Sequence, residues 1–249
     1  MKETIYTIPV MDAFREPCEC AFCAMHRTLE LNALDFMLGA SASYMEGDIR
    51  MKTDELGYCR RHYGQMYEMS NRLGLALVTQ THLARVRKDL SALLKGMGKA
   101  RPKKALFAGK SAAASPLSAY VEKLTKTCYV CDMVESTFAK YVDTFFMLWP
   151  KEEELRGLVR AGNGFCLPHF AMMVDAAADK LGGAAYESFA EVAFDVQTKN
   201  LERVQGDLDW FVQKFDYRFR EEPWGNAKDA VRRGIQKLSA EVIQEDSQK

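Results

Sequence analysis

The sequence predicts an all-α protein: two tandem pseudo-repeats, each a helical bundle with a Cys3His metal site, followed by an extra C-terminal helix. Three observations carry this. A four-residue set occurs twice, Cys20, Cys23, Cys59 and His62, then Cys128, Cys131, Cys166 and His169. Each set reads Cys-x-x-Cys, a gap of about a helical hairpin, then Gly-aromatic-Cys-x-x-His. Between these motifs the apolar residues recur three and four apart, the period of helices buried on one face. Finally, a long-helix seam, Leu83, Val86, Leu90, Leu93 and Met97, returns as Leu201, Val204, Leu208, Phe211 and Phe215 at a constant offset of 118 residues.

In chain order, Ile8 to Phe14 predicts a helical turn before the knuckle Cys18-Glu19-Cys20-Ala21-Phe22-Cys23. A helix follows from Ala24 and stops at Gly39. A short helix over 44–56 leads into Gly57-Tyr58-Cys59, and His62 opens a further helix. The long helix spans 75–95, ahead of a stretch with Lys95, Lys99, Arg101, Lys103, Lys104 and Lys110 and no acidic residue between Leu90 and Val121. That stretch reads as a flexible, solvated linker. Ser115-Pro116 then predicts an N-cap with proline in the first turn.

The second half repeats the first. Cys128 and Cys131 lie 108 residues after Cys20 and Cys23, and Cys166 and His169 lie 107 after Cys59 and His62. The offset grows by eleven before the long helix, close to three helical turns, so an insertion between His169 and Leu201 preserves the helical face. A turn at Glu221–Asn226 follows, in which Asn226 is expected to cap a final helix with Val231, Ile235, Leu238 and Val242 on one face. The predicted organisation is therefore repeat one (1–98), basic linker (99–115), repeat two (116–220) and C-terminal turn and helix (221–249).

Composition narrows the function classes. Thirty-four basic and 34 acidic residues give no net charge, which offers no general attraction to nucleic acid or an anionic membrane. No apolar run of about eighteen residues is available to span a bilayer, and the opening residues lack a signal-peptide pattern. A cytoplasmic location is expected, where thiols stay reduced and paired cysteines are more often metal ligands or redox groups than disulfides.

Three thiolates and one imidazole suit a tetrahedral Zn²⁺ shell, and six of the seven cysteines enter the two sets. Two zinc ions are the first expectation. Iron–sulfur clusters with the same ligands, redox-active Cys-x-x-Cys pairs and buried small hydrophobes are the alternatives. Cys18 and His26 have no counterparts in the second repeat, where Lys126 and Val134 stand, and are candidate accessory residues of the first site. His82 corresponds to Asn200 and is expected to pack in the core or on the surface. Tyr63, Tyr67, Phe145, Phe146 and Trp149 are expected in the core. No phosphate-binding loop, nucleophile elbow or His-Glu-x-x-His helix occurs.

The segments Asp12 to Cys23, Gly57 to Tyr63, Asn71 to Leu77, Gly164 to Phe170 and Glu222 to Asn226 together resemble an uncharacterised bacterial family common in anaerobes, the domain of unknown function 6062. The resemblance covers nearly the whole chain. This chain departs from the family in having Ala21 where proline is usual, outside the ligand set. The resemblance supports the metal motif and implies no reaction.

Two functions follow as expectations. The first is a zinc-stapled helical protein that binds a protein partner. The second is an enzyme or electron carrier of anaerobic metabolism with iron–sulfur centres, or with an open metal near Cys18, Cys20, Cys23 and His26. Nucleic-acid binding through the basic linker is the weakest reading, since no stacking aromatics accompany it.

Overall fold

Among the residues that the computed structural model describes, 5–40, 42–97 and 115–243, every regular element is helical. The α-helices are α1 (Thr7–Arg15), α2 (Ala21–Leu38), α3 (Gly47–Leu56), α4 (Arg60–Glu68), α5 (Arg72–Met97), α6 (Pro116–Lys126), α7 (Tyr129–Leu148), α8 (Glu153–Ala161), α9 (Leu167–Lys180), α10 (Gly183–Gln213) and α11 (Ala230–Ser239). Short 3-10 turns at Tyr217–Phe219 and Gly225–Ala227 separate α10 from α11. The predicted basic linker lies outside the described residues except for Ser115. No described helix is long and apolar enough to cross a membrane.

Local signals set the helix ends. Ser115 Oγ accepts from the Ser118 amide at 3.1 Å, with Pro116 in the first turn of α6. α2 ends at Leu38, immediately before Gly39. The order α1 to α5 is matched by α6 to α10: a short helix, a helix opened by Cys-x-x-Cys, a short helix, one opened by Cys-x-x-His, and a long helix. α11 stands outside that correspondence. The eleven-residue growth in offset falls at the α9–α10 junction. There α9 runs five residues further past its histidine than α4 does, α10 starts seven further ahead of the matched leucine than α5 does, and the loop is one shorter.

Two compact units divide the chain, one of Met1–Thr28 with Thr137–Lys249 and one of Leu29–Ser136. The predicted repeats and the compact units follow different boundaries. Each unit combines the Cys-x-x-Cys knuckle of one repeat with the three following helices of the other.

In the first unit α10 packs against α8, α9 and α11. Its core is aromatic: Phe22, Phe145, Trp149, Phe165 and Phe189 are buried, with Phe22 and Phe145 edge to face at 5.6 Å and Trp149 and Phe189 at 5.2 Å. Phe145, Phe146 and Trp149 thus lie in the core as expected. The face α11 buries is opposite to the apolar one that its sequence suggests. Ala230, Arg233, Gly234 and Lys237 are buried, while Val231, Ile235 and Leu238 are exposed. Ion pairing explains the reversal, because Arg233 bonds to Asp207 and Asp229, both at 2.8 Å, and a Cβ on Gly234 would come within 3.0 Å of Leu208. Asn226 does not cap α11; it sits in the preceding 3-10 turn, and Asp229 occupies the cap position.

In the second unit α5 packs on α3, α4 and α6. Its inner face carries Leu75, Val78 and His82, offset from the predicted seam, in which Leu83 is 63% exposed. Tyr67, expected in the core, is exposed and lies beneath the Arg72 guanidinium, 3.9 Å from its ring centre.

Candidate metal centres

Each Cys-x-x-Cys and each Cys-x-x-His occupies the same place on a helix. Cys20 and Cys128 immediately precede α2 and α7, Cys59 and Cys166 are the N-caps of α4 and α9, and each partner residue lies three positions on, in the first turn. Residues three apart share a helix face. Helix N-termini also carry partial positive charge, which favours thiolate over thiol.

The structure brings these pairs together crosswise. Cys20 and Cys23 meet Cys166 and His169 in the first unit, and Cys128 and Cys131 meet Cys59 and His62 in the second, with the ligand atoms of each group within 4.8 Å of one another. All eight residues singled out as candidate ligands therefore fall in the two groups, but the grouping by sequence order is corrected: neither predicted repeat encloses a group of its own. The knuckle of each repeat faces the Gly-aromatic-Cys turn of the other because the helices divide between units as described above.

The geometry fits a single tetrahedral ion. With metal–sulfur and metal–nitrogen lengths typical of zinc, sulfurs should stand about 3.8 Å apart and sulfur to nitrogen about 3.6 Å. In the first cluster Cys166 Sγ lies 3.8 Å from Cys20 Sγ and 3.6 Å from Cys23 Sγ, and His169 Nδ1 lies 3.1 to 3.6 Å from the three sulfurs. In the second, Cys59 and Cys131 sulfurs are 3.9 Å apart, and His62 Nδ1 lies 3.1 to 3.4 Å from its three sulfurs. These separations are far longer than a disulfide bond. A cluster of several irons would spread its sulfurs over different metal atoms and hold them further apart than ligands of one ion.

The sequence model of a family of unknown function, DUF6062, matches residues 1–245. The chain belongs to DUF6062. No curated protein and no solved structure matches it.

In this DUF6062 chain the two clusters differ in what surrounds them. At the second, His62 Nε2 donates to Glu30 Oε1 at 2.9 Å, which leaves Nδ1 for the sulfurs, and Glu30 Oε2 accepts from Arg61 at 2.7 Å. A carboxylate behind a ligating imidazole fixes its tautomer and raises its basicity. Burial alone would lower the His62 pKa, but the Cys128 sulfur and Glu30 raise it to about 10. Conversely, burial opposes the Cys128 thiolate while His62 stabilises it, with a net pKa of about 6. At the first cluster, burial lowers the His169 pKa and the Cys166 and Cys20 sulfurs raise it, to about 9. The charged neighbours there are Glu19, Arg203 and Lys237, with Arg203 donating to both Glu19 oxygens at 2.9 and 2.6 Å.

Each Gly-aromatic-Cys turn is held by a long helix. Gly57 and Gly164 have φ of 59° and 72°. Beneath Gly57 lies His82, whose Nδ1 donates to the Asp54 carbonyl at 2.9 Å. Beneath Gly164 lies Gln197, whose Oε1 accepts from the Phe165 amide at 3.0 Å, while Asn200, the counterpart of His82, donates to the Gly162 carbonyl at 3.2 Å.

Cys18 and His26 supply no ligand atom to either group. Burial raises the Cys18 pKa to about 11, which keeps it a thiol, and its carbonyl accepts from Asn163. His26 packs edge to face on Phe138 at 5.4 Å. Sequence reasoning did not find Glu30, Gln197 or Lys237, because none belongs to a repeated motif. Lys237 in particular carries no local signal, since its partners Glu19 and Asn163 are remote in sequence.

Proposed function

We propose that the chain binds two Zn²⁺ ions as structural staples and that its role is to present a helical surface to a protein partner. The observation that carries this is the pair of closed Cys3His shells, each with the separations of one tetrahedral ion and each joining segments remote in sequence. Four protein ligands leave no open coordination position, unlike catalytic zinc. When bound, the ions would clamp Cys20, Cys23, Cys166 and His169, and Cys59, His62, Cys128 and Cys131, and so fix the helix N-termini that carry them. Structural zinc contributes about 10–16 kcal/mol in small modules, comparable to the stability of a whole domain. The exposed Val231, Ile235 and Leu238 on α11 support the partner-binding role, since a contiguous apolar face is a common docking feature.

Elemental analysis with an absorption spectrum of protein purified without oxygen tests the metal reading. Two zinc atoms per chain and no visible absorption are expected. Iron with visible charge-transfer bands would favour the electron-carrier reading instead, and metal-free, stable protein would overturn both.

A further inference from the structure

Lys237 lies on α11, the helix with no counterpart in the first repeat, and is 1% exposed. A buried ammonium is costly unless its donors are all satisfied. Here its Nζ donates to the Glu19 carbonyl at 2.7 Å and to the Asn163 carbonyl, and lies 3.1 Å from Glu19 Oε2. Glu19 immediately precedes Cys20, and Asn163 opens the Asn163-Gly164-Phe165-Cys166 turn. One side chain therefore ties together the backbones of the two segments that carry the first cluster's ligands. The end of α11 reaches the cluster as well, with the Ala240 carbonyl 3.7 Å from Cys23 Sγ.

Charge leads to the same residue. Three thiolates, a neutral imidazole and Zn²⁺ leave one net negative charge, and Glu19 adds another nearby. Arg203 and Lys237 balance the two. The second cluster lacks this arrangement and instead has Glu30 behind His62, with Arg61 on the carboxylate.

We propose that Lys237 is a positioning residue of the first metal centre: it sets the approach of the Cys20–Cys23 pair to the Cys166–His169 pair and neutralises the loaded site. This rests on the metal reading above, and the second cluster serves as its internal reference. α11 is then a latch required by one site of the two.

The test loads full-length wild type, Lys237→Met and Lys237→Arg with Zn²⁺ and follows transfer of the metal to a chromophoric chelator. It is repeated with Co²⁺, whose thiolate charge-transfer band reports the ligand geometry. In Lys237→Met one equivalent should leave about 10–100-fold faster, the range for loss of a residue that orients a ligand. The other equivalent should keep its wild-type rate, half of the cobalt band should change, and Lys237→Arg should recover part of the loss. Wild-type rates for both equivalents in Lys237→Met would overturn the proposal while leaving the metal reading intact. Loss of both equivalents together would overturn it too, because a site-specific residue spares the second cluster. Failure of the wild type to bind metal would defeat the metal reading itself.

Discussion

The Cys20 sulfur lies 3.8 Å from the Cys166 sulfur, 146 residues further along the chain. This crosswise pairing predicts metal stoichiometry in double variants. Cys20→Ser with Cys166→Ser disables one centre and should leave one metal ion per chain. Cys20→Ser with Cys59→Ser touches both centres and should leave none bound tightly. Elemental analysis after dialysis distinguishes the two variants, and the reverse result would restore the grouping by sequence order.

Glu30 should govern the second centre alone. Removing its carboxylate in Glu30→Ala frees the His62 ring to turn and lowers the basicity of its ligating nitrogen. Affinity at that centre should fall about 10–100-fold, with the first centre unchanged, in a competition titration against a chelating dye. Equal weakening of both centres would mean that Glu30 acts through general stability.

Metal binding should strengthen with pH. In the metal-free second cluster His62, raised to about 10 against the pull of burial by Cys128 and Glu30, is protonated near neutrality. Burial and the neighbouring Cys128 hold the Cys131 thiol above its ordinary range, so it is protonated too. An entering ion displaces at least these two protons, and affinity should rise by at least about 100-fold per pH unit around neutrality. Calorimetry in buffers of different ionisation enthalpy counts the protons released; a count of zero would contradict the assignment.

The metal-free chain has its own pH window. The raised His62 pKa contributes stability that is full below its ordinary 6.5 and is lost as pH rises through about 10. The lowered Cys128 pKa contributes stability that is full above its ordinary 9.0 and is lost as pH falls through about 6. Denaturant melts of chelated protein should therefore weaken at both ends.

Gly57 should tolerate alanine poorly. Its φ of 59° disfavours any side chain, and a Cβ there would stand 2.5 Å from His82 Nε2. Strain of about 1–3 kcal/mol is expected from the backbone alone, and thermal denaturation should show Gly57→Ala below Gly164→Ala, whose Cβ would meet Gln197 Oε1 at 3.2 Å. Equal midpoints would show that the His82 ring moves aside without cost.

Much of the molecule was legible in the residues themselves. Helical spacing marked the main helices, Ser115 and Pro116 marked the start of α6, and the recurrence of two Cys/His pairs at near-constant offsets picked out all eight residues of the two clusters. These are local properties, set by which residues suit a helix face, a cap or a metal. The inner face of α11 was not legible, because Arg233 and Lys237 are buried by partners on distant segments and local patterning points the other way.

The sequence by itself determined the helical class, the eight residues of the two candidate sites and the placement of each pair at a helix N-terminus, since three-residue spacing and capping act within one turn. Only the tertiary structure decided which pair meets which. Spacing within a repeat says that two residues point the same way, but a four-ligand shell closes wherever packing brings two such turns within about 4 Å. Burial of the helices places Cys20 and Cys23 beside Cys166 and His169, and Cys128 and Cys131 beside Cys59 and His62.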